Sequence, residues 1–298
     1  MESVVTLIAA PGGGLDAGIV AEAAARLKAL GAETGRADWL ADDLACDLAF
    51  DGLSPDQADA AVRQACDGLT IDIISQPVAG RRKRLLIADM DSTIVTTETL
   101  TDIARIAGKE QVIAEITDRA MRGELDFAGA LRERVAMLEG LSECALADAY
   151  GEVELSPGAD ILVRTMNAAG AVTALVSGGF TYYTSRIAER LGFHVNMANR
   201  FDIADGCLTG RVAEPILGRS AKYDALVKLA AENGLALADA AAVGDGANDL
   251  EMIQAAGLGC AYRGKPILRD AARAKLDHAD LTGLLFAQGF RADEFVTD

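Results

Sequence analysis

Four short segments of the chain carry side chains that could do chemistry together. Asp89-Met90-Asp91-Ser92-Thr93 sets two carboxylates two residues apart, followed by two hydroxyls. Ser177-Gly178-Gly179 joins a hydroxyl to glycines, whose missing Cβ lets backbone N–H groups come close to a ligand. Lys222 adds an ammonium, and Gly244-Asp245-Gly246-Ala247-Asn248-Asp249 adds two further carboxylates within a glycine-rich turn. Singly, each has an ordinary explanation: Gly-Asp-Gly is common turn chemistry, and a lone helix lysine is usually solvated. As a set they are more specific. The carboxylates are hard oxygen ligands for a small cation, and the lysine, serine and glycine N–H groups are donors for an oxyanion.

The elements that must position these residues can be read from hydrophobic periodicity. Leu85–Ala88, Val172–Val176, Ala240–Val243 and Leu258–Ala261 are short continuous apolar runs bounded by glycine or polar residues, as expected of strands buried on both faces. A further strand is expected near Val195–Ala198. Helix-length segments alternate with them at Gly158–Ala169, Thr181–Leu191, Ser220–Asn233 and Asp249–Ala256. The alternation predicts an α/β fold, an open parallel sheet with helices on both faces in the Rossmann-like manner. Such sheets place ligands beyond the carboxyl ends of their strands, where the four segments fall. Phe201–Val212 holds Asp205-Gly206 between β-like arms and reads as a surface hairpin. From Glu98 to Val153 no buried-strand run occurs; helices are expected at Thr101–Ala107 and Phe127–Leu138, and an inserted helical cap is assigned to about residues 95–154.

Residues 1–78 read as a separate small α+β domain. Strands are expected at Val4–Ala9, Glu33–Trp39, Ala45–Phe50 and Leu69–Ser75, with helices over Leu15–Leu30 and from Ser54-Pro55 to about Cys66. The β-α-β-β-α-β order is ferredoxin-like, and it resembles the small regulatory domains called ACT domains. Gly12-Gly13-Gly14 lacks the spacing of a phosphate loop and is expected to be a flexible turn. Arg81-Arg82-Lys83-Arg84 is expected to be a solvated linker to a second domain at residues 84–298, so that residues 1–80 should be removable without harm.

Asp-x-Asp-x-Thr, the serine after the second strand, the lysine and Gly-Asp-Gly-x-x-Asp, in that order, resemble the four motifs of the haloacid-dehalogenase-like superfamily over roughly residues 84–280. Val176–Phe180, Val243–Asp249, Glu98 and Leu131-Arg132-Glu133-Arg134-Val135 are similar to the phosphoserine phosphatases within it. The resemblance implies hydrolysis of O-phosphoserine to serine and phosphate, the last step of serine biosynthesis. Asp89 is then the nucleophile that forms an aspartyl-phosphate, and Asp91 the general acid and later the base. Mg²⁺ is held by the Asp89 and Asp245 carboxylates and the Asp91 carbonyl. Lys222, Ser177 and the N–H groups around Gly178 meet the phosphoryl oxygens. Asp249 fixes Lys222 and the surroundings of the metal, and Thr93 secures the loop or touches the phosphate. In the cap, Glu98 suits the substrate ammonium and Arg134 its carboxylate, Asn248 also contacts substrate, and Met121 and Phe127 exclude water.

Composition narrows the remaining choices. A net charge of −17 argues against nonspecific nucleic-acid binding and means that an anionic substrate must be drawn in by local cations or a metal. No apolar stretch approaches the roughly 20 residues that span a membrane, and Val4–Ala10 is too short for a secretory leader, so a cytoplasmic protein is expected. Five scattered cysteines and two histidines do not form a zinc or disulfide pattern. A small-molecule substrate is expected, and a homodimer is left open. Three rivals stand beside the hydrolase: a receiver domain, which lacks an acid at Asp91 and a cap, a phosphotransferase to another alcohol, and a noncatalytic serine sensor.

Overall fold

A computed structural model describes residues 1–218 and 220–297, apart from the side chain of Met121. The front unit runs β1 (Ser3–Ala9), α1 (Ala17–Ala29), β2 (Glu33–Ala41), β3 (Ala45–Asp51), α2 (Pro55–Ala65) and β4 (Ile71–Pro77). Its antiparallel sheet has the order β2-β3-β1-β4, the ferredoxin-like arrangement. Helix α2 starts on a capping box in which Ser54 and Gln57 bond reciprocally, with Pro55 at the first helical position. The Gly12–Gly14 turn is held by an exposed carboxylate: Gly14 N–H donates to Asp43 at 3.2 Å.

The larger unit follows as β5 (Leu85–Ala88), the cap helices α3 (Thr99–Ile106), α4 (Glu110–Met121), α5 (Phe127–Ala136) and α6 (Glu143–Gly151), and then α7 (Ala159–Ala168). It continues through β6 (Val172–Phe180), α8 (Thr181–Leu191), β7 (Val195–Ala204), β8 (Cys207–Ala213), α9 (Ala221–Glu232) and β9 (Ala240–Gly244). The last elements are α10 (Leu250–Ala255), β10 (Leu258–Tyr262), α11 (Pro266–Ala271), β11 (Ala274–Leu276) and α12 (Gly283–Ala287). The sheet order is β11-β10-β9-β5-β6-β7-β8, parallel except for the β7–β8 hairpin. Asp205 and Gly206 turn that hairpin with φ of 50° and 74°, the left-handed pair of a two-residue β-turn. Apolar clusters cover both faces: Leu86, Leu175 and Val243 face α7 and α8, while Leu85, Val176 and Ala242 face α9 and α10. Strand β11 has no counterpart in the sequence reading, because three residues are too few to register as an apolar run. No helix among the described residues is long and apolar enough to cross a membrane.

The cap leaves the sheet after β5 and returns before α7. Its two connecting segments pair as Val95 with Leu155, reinforced by Thr96 N–H to Glu154 and Ser156 N–H to Ile94. On the far side Leu131 and Val135 of α5 pack against Phe180, which stacks on Phe201 with ring centroids 3.6 Å apart.

The expectation of a solvated linker is corrected, and the shared core tells against a dispensable front unit. One face of the front sheet, with Val5, Leu7, Leu48, Phe50 and Ile73, packs on α1 and α2. The other carries Ile8, Ala45 and Ile74 into the same core as Leu276, Leu285 and Phe286 of the larger unit. Both faces are therefore buried, and β1, β3 and β4 do not alternate as a half-solvated sheet does. Asp72, 3% exposed, accepts the N–H groups of Asp277, His278 and Ala279 at 2.8–3.3 Å. Arg81 is ion-paired with the buried Asp47 at 2.7 Å, and Lys83 is buried with its ammonium on the carbonyls of Gly80 and Ala238. The basic run is thus a seam.

Removing residues 1–80 should give a poorly soluble or strongly destabilised product, because it strips cover from one shared core. Asp72→Ala, which leaves three N–H groups without their acceptor, should cost about 1.5–3 kcal/mol in chemical denaturation. A truncated protein that unfolds at the temperature of the full chain would show that the seam contributes nothing.

Candidate active site

The strand β5 runs through Asp89 into the loop Met90–Ile94, in which Asp91 is extended and Ser92 left-handed. Asp89 N–H still donates to Val243 of β9 at 3.0 Å, so the residue is held by the sheet itself. Its Oδ1 accepts the N–H of Met90 at 2.7 Å and its Oδ2 lies 2.6 Å from Lys222 Nζ. The same ammonium meets Asp249 Oδ1, while Asp249 Oδ2 accepts the N–H groups of Asp245 and Gly246 at 3.1 and 2.9 Å. Asp249 is fully buried, with one oxygen on the lysine and the other on the turn that presents Asp245. Glycine is needed at 244 for that contact, since a Cβ there would lie 2.3 Å from the Asp249 carboxyl carbon.

Negative charge exceeds positive in this space. Asp89, Asp245 and Asp249 are buried with a carboxylate oxygen of each within 4.8 Å of the others. Among the described residues, only Lys222 is a buried cation beside them; Lys265, which pairs with Asp245 at 2.9 Å, is largely exposed. Burial first, then the Asp249 charge, pushes the Asp89 carboxyl well above the usual range, against the pull of Lys222. Burial alone would lower the Lys222 ammonium, but Asp89 and Asp249 more than offset it and hold it above an ordinary lysine. A site of oxygen donors with surplus negative charge fits a small divalent cation, with Asp89 and Asp245 as ligands. Asp249, with both oxygens engaged, fits as the residue that orients them.

Asp91 faces the second loop. Its Oδ1 accepts Thr99 N–H at 2.8 Å, and its Oδ2 lies 3.3 Å from the Ser177 hydroxyl. Burial, then the nearby Glu98 charge, raises its carboxyl to about 6. Two carboxylates two residues apart therefore sit in unlike environments, one locked to an ammonium and one poised to carry a proton. A small cavity beside them is lined by Ser177, Gly178, Lys222, Asn248 and Phe127.

The cap residues lie at the edge of this site. Glu98 caps the start of α3 and accepts the hydroxyl of Ser92 at 2.9 Å. Arg134 on α5 is half-buried, donates to its own helix at Ala130, and has no carboxylate within ion-pair distance among the described residues. Burial lowers its pKa, while the charges of Glu98 and Asp91 act in the other direction. The Thr93 hydroxyl is fully buried and makes no hydrogen bond among the described residues, so the structure gives it no part in tying the loop. That is done by Ser92 N–H to Thr97 and Val95 N–H to Met90. The Met121 side chain lies outside the described residues.

Sequence reasoning passed over Ser92, which holds Glu98 with its backbone at φ 54°, and Lys265 and Asn199. Lys265 lies just past the carboxyl end of β10, so the rule that located the other residues could have found it, whereas Asn199 lies within β7. Asp249→Asn should weaken divalent-cation binding about 10- to 100-fold in calorimetric titration, because a carboxylate that orients both Lys222 and the Asp245 turn is lost. Unchanged affinity would mean the turn is held without it.

The model of the haloacid dehalogenase-like hydrolases matches residues 86–254. A phosphoserine phosphatase of Streptomyces coelicolor is 38% identical over 296 residues, spanning 98% of this chain and 72% of the relative. A crystal structure of a hydrolase of the same family from Salmonella enterica superposes with a TM-score of 0.83 at 28% identity, covering 96% of this chain and 98% of that one. A phosphoserine phosphatase solved as a phospho-aspartyl intermediate analogue is 40% identical, with a TM-score of 0.64 over 69% of this chain and 98% of that one. The motifs at the strand ends, the sheet that carries them and these likenesses agree, and the chain belongs to the haloacid dehalogenase-like hydrolase family.

Proposed function

We propose that the chain is a cytoplasmic phosphatase that hydrolyses O-phosphoserine to serine and phosphate through an aspartyl-phosphate on Asp89, the last step of serine biosynthesis. The observation that carries this reading is the division of labour between the two carboxylates of the first loop: Asp89 against Lys222, and Asp91 against Ser177 with its carboxyl raised to about 6. An Asp89 oxygen attacks phosphorus as the bond from phosphorus to the serine oxygen breaks. That alkoxide is a poor leaving group, and Asp91 gives it a proton. Asp91 then takes a proton from the water that attacks the aspartyl-phosphate, which releases phosphate and restores Asp89. Lys222, the Ser177 hydroxyl and the N–H groups around Gly178 hold the phosphoryl oxygens throughout.

The carboxylates of Asp89 and Asp245 and the Asp91 carbonyl would hold Mg²⁺, which would supply positive charge to offset the repulsion between a carboxylate and a phosphate dianion. Specificity is assigned to the cap: Glu98 receives the ammonium, and the Arg134 guanidinium receives the carboxylate as a bidentate partner. Asn248 and Phe127 complete the walls. Residues 1–78 are read as an ACT-like domain on their strand order.

Arg134→Ala should lower kcat/KM for phosphoserine by roughly 30- to 1,000-fold, the effect of losing one partner of a desolvated charge pair. The same change should leave p-nitrophenyl phosphate, which has no carboxylate, almost unaffected. Equal losses on both substrates would assign Arg134 to the cap fold or to the phosphate. Chelation with EDTA should abolish turnover and Mg²⁺ restore it, whereas Ca²⁺, with its larger and looser shell, should restore it poorly.

A further inference from the structure

The β6–β7 ladder pairs Ala174 with Val195, Leu175 with Asn196 and Val176 with Met197, then skips to Phe180 with Asn199. Ser177, Gly178 and Gly179 are thus lifted out of the ladder toward the phosphoryl pocket, opposite Ala198 alone. A bulge of this kind takes carbonyl and N–H groups from their strand partners, and buried backbone groups need replacements. For the Gly178 carbonyl the replacement is a side chain. Asn199, 1% exposed, donates from Nδ2 to Gly178 O at 2.9 Å. Its Oδ1 accepts the N–H of Leu217 at 2.7 Å. One buried amide therefore joins the loop that holds Ser177 to the segment that leads into α9 and Lys222.

The consequence for Ser177 follows from the planarity of a peptide. Gly178 C=O and Gly179 N–H belong to one trans peptide unit and point in opposite directions. Turning the carbonyl toward Asn199 turns the N–H away from it, and that N–H donates to Ser177 Oγ at 2.8 Å. The hydroxyl accepts there, so its own proton is left for the pocket side, where Asp91 Oδ2 lies at 3.3 Å. Glycine at 179 is what allows the crowding: a Cβ there would lie 3.1 Å from both Ser177 Oγ and Asp91 Oδ2.

We propose that Asn199 is a positioning residue of the phosphatase, which fixes Ser177 as a donor to the phosphoryl group by orienting the peptide between Gly178 and Gly179. This rests on the phosphatase reading above. Asn199 acts through Ser177, by way of the peptide between Gly178 and Gly179. Its loss should weaken handling of the phosphoryl group common to all substrates, unlike loss of Arg134.

The test is a double-mutant cycle with Ser177→Ala, read as kcat/KM for p-nitrophenyl phosphate at saturating Mg²⁺. Asn199→Leu should reduce kcat/KM by roughly 10- to 100-fold in the wild-type background, the scale of losing a residue that orients a direct contact. In the Ser177→Ala background the same substitution should cost less than about 3-fold, because the group it positions is gone. Thermal unfolding checks each variant, and Asn199→Ser, which leaves room for water, replaces the leucine variant if that one does not fold. Equal losses in both backgrounds, with either substitution, would assign Asn199 to general packing and overturn the proposal. A wild-type protein that does not turn over p-nitrophenyl phosphate at all would instead contradict the phosphatase reading.

Discussion

The contact on which the rest depends is the buried ammonium of Lys222 between Asp89 and Asp249. Taking carboxylates out of water costs several kcal/mol each, on the order that only close pairing and hydrogen bonding can offset. Lys222 compensates part of that charge, and the N–H groups of Met90, Asp245 and Gly246 take up oxygens that it does not reach. The compensation is incomplete. A site left with surplus negative charge fits a divalent cation. A net charge of −17 over the whole chain makes this local arrangement necessary, since the long-range field repels the substrate.

The scaffold serves this contact in two ways. Parallel strands deliver Asp89, Ser177 and Asp245 to one rim, where buried backbone bonds such as Asp89 N–H to Val243 fix them before any ligand arrives. The cap then adds charge from above the rim, with Glu98 tied to the first loop through Ser92 and Arg134 without an ion-pair partner among the described residues. The front unit is part of the same body: Asp72 grips the turn after β11, and Arg263, just past the end of β10, donates its N–H to Leu276 of β11. Lys265 lies two residues beyond Arg263 and touches Asp245. The seam therefore leads by a short, connected route to Asp245.

Much of this was legible in the sequence, for definite reasons. Strands such as Leu85–Ala88 and Ala240–Gly244 are buried on both faces and leave continuous apolar runs, and the reactive residues follow them directly. Asp205-Gly206 dictated its hairpin turn through backbone preference alone. What escaped was tertiary. Arg81 and Lys83 look solvated in sequence, because nothing local reveals the buried Asp47 or the carbonyl of Ala238 that receives them. Asn199 carries no signal in the sequence; its use appears only once the bulge opposite has removed the partner of Gly178. Burial of both faces of β1 and β4 was available as a signal, since Val4–Ala9 is apolar without strict alternation.

The central claim is that Asp89 carries the phosphoryl group, and rapid-quench mass spectrometry during turnover of phosphoserine tests it most directly. The peptide containing Asp89 should gain the mass of one phosphoryl group within the first turnover, and Asp89→Asn should abolish both that species and phosphate release. Steady turnover in the Asp89→Asn protein, or a phosphorylated peptide that contains Asp245 or Asp249 in place of Asp89, would contradict the account.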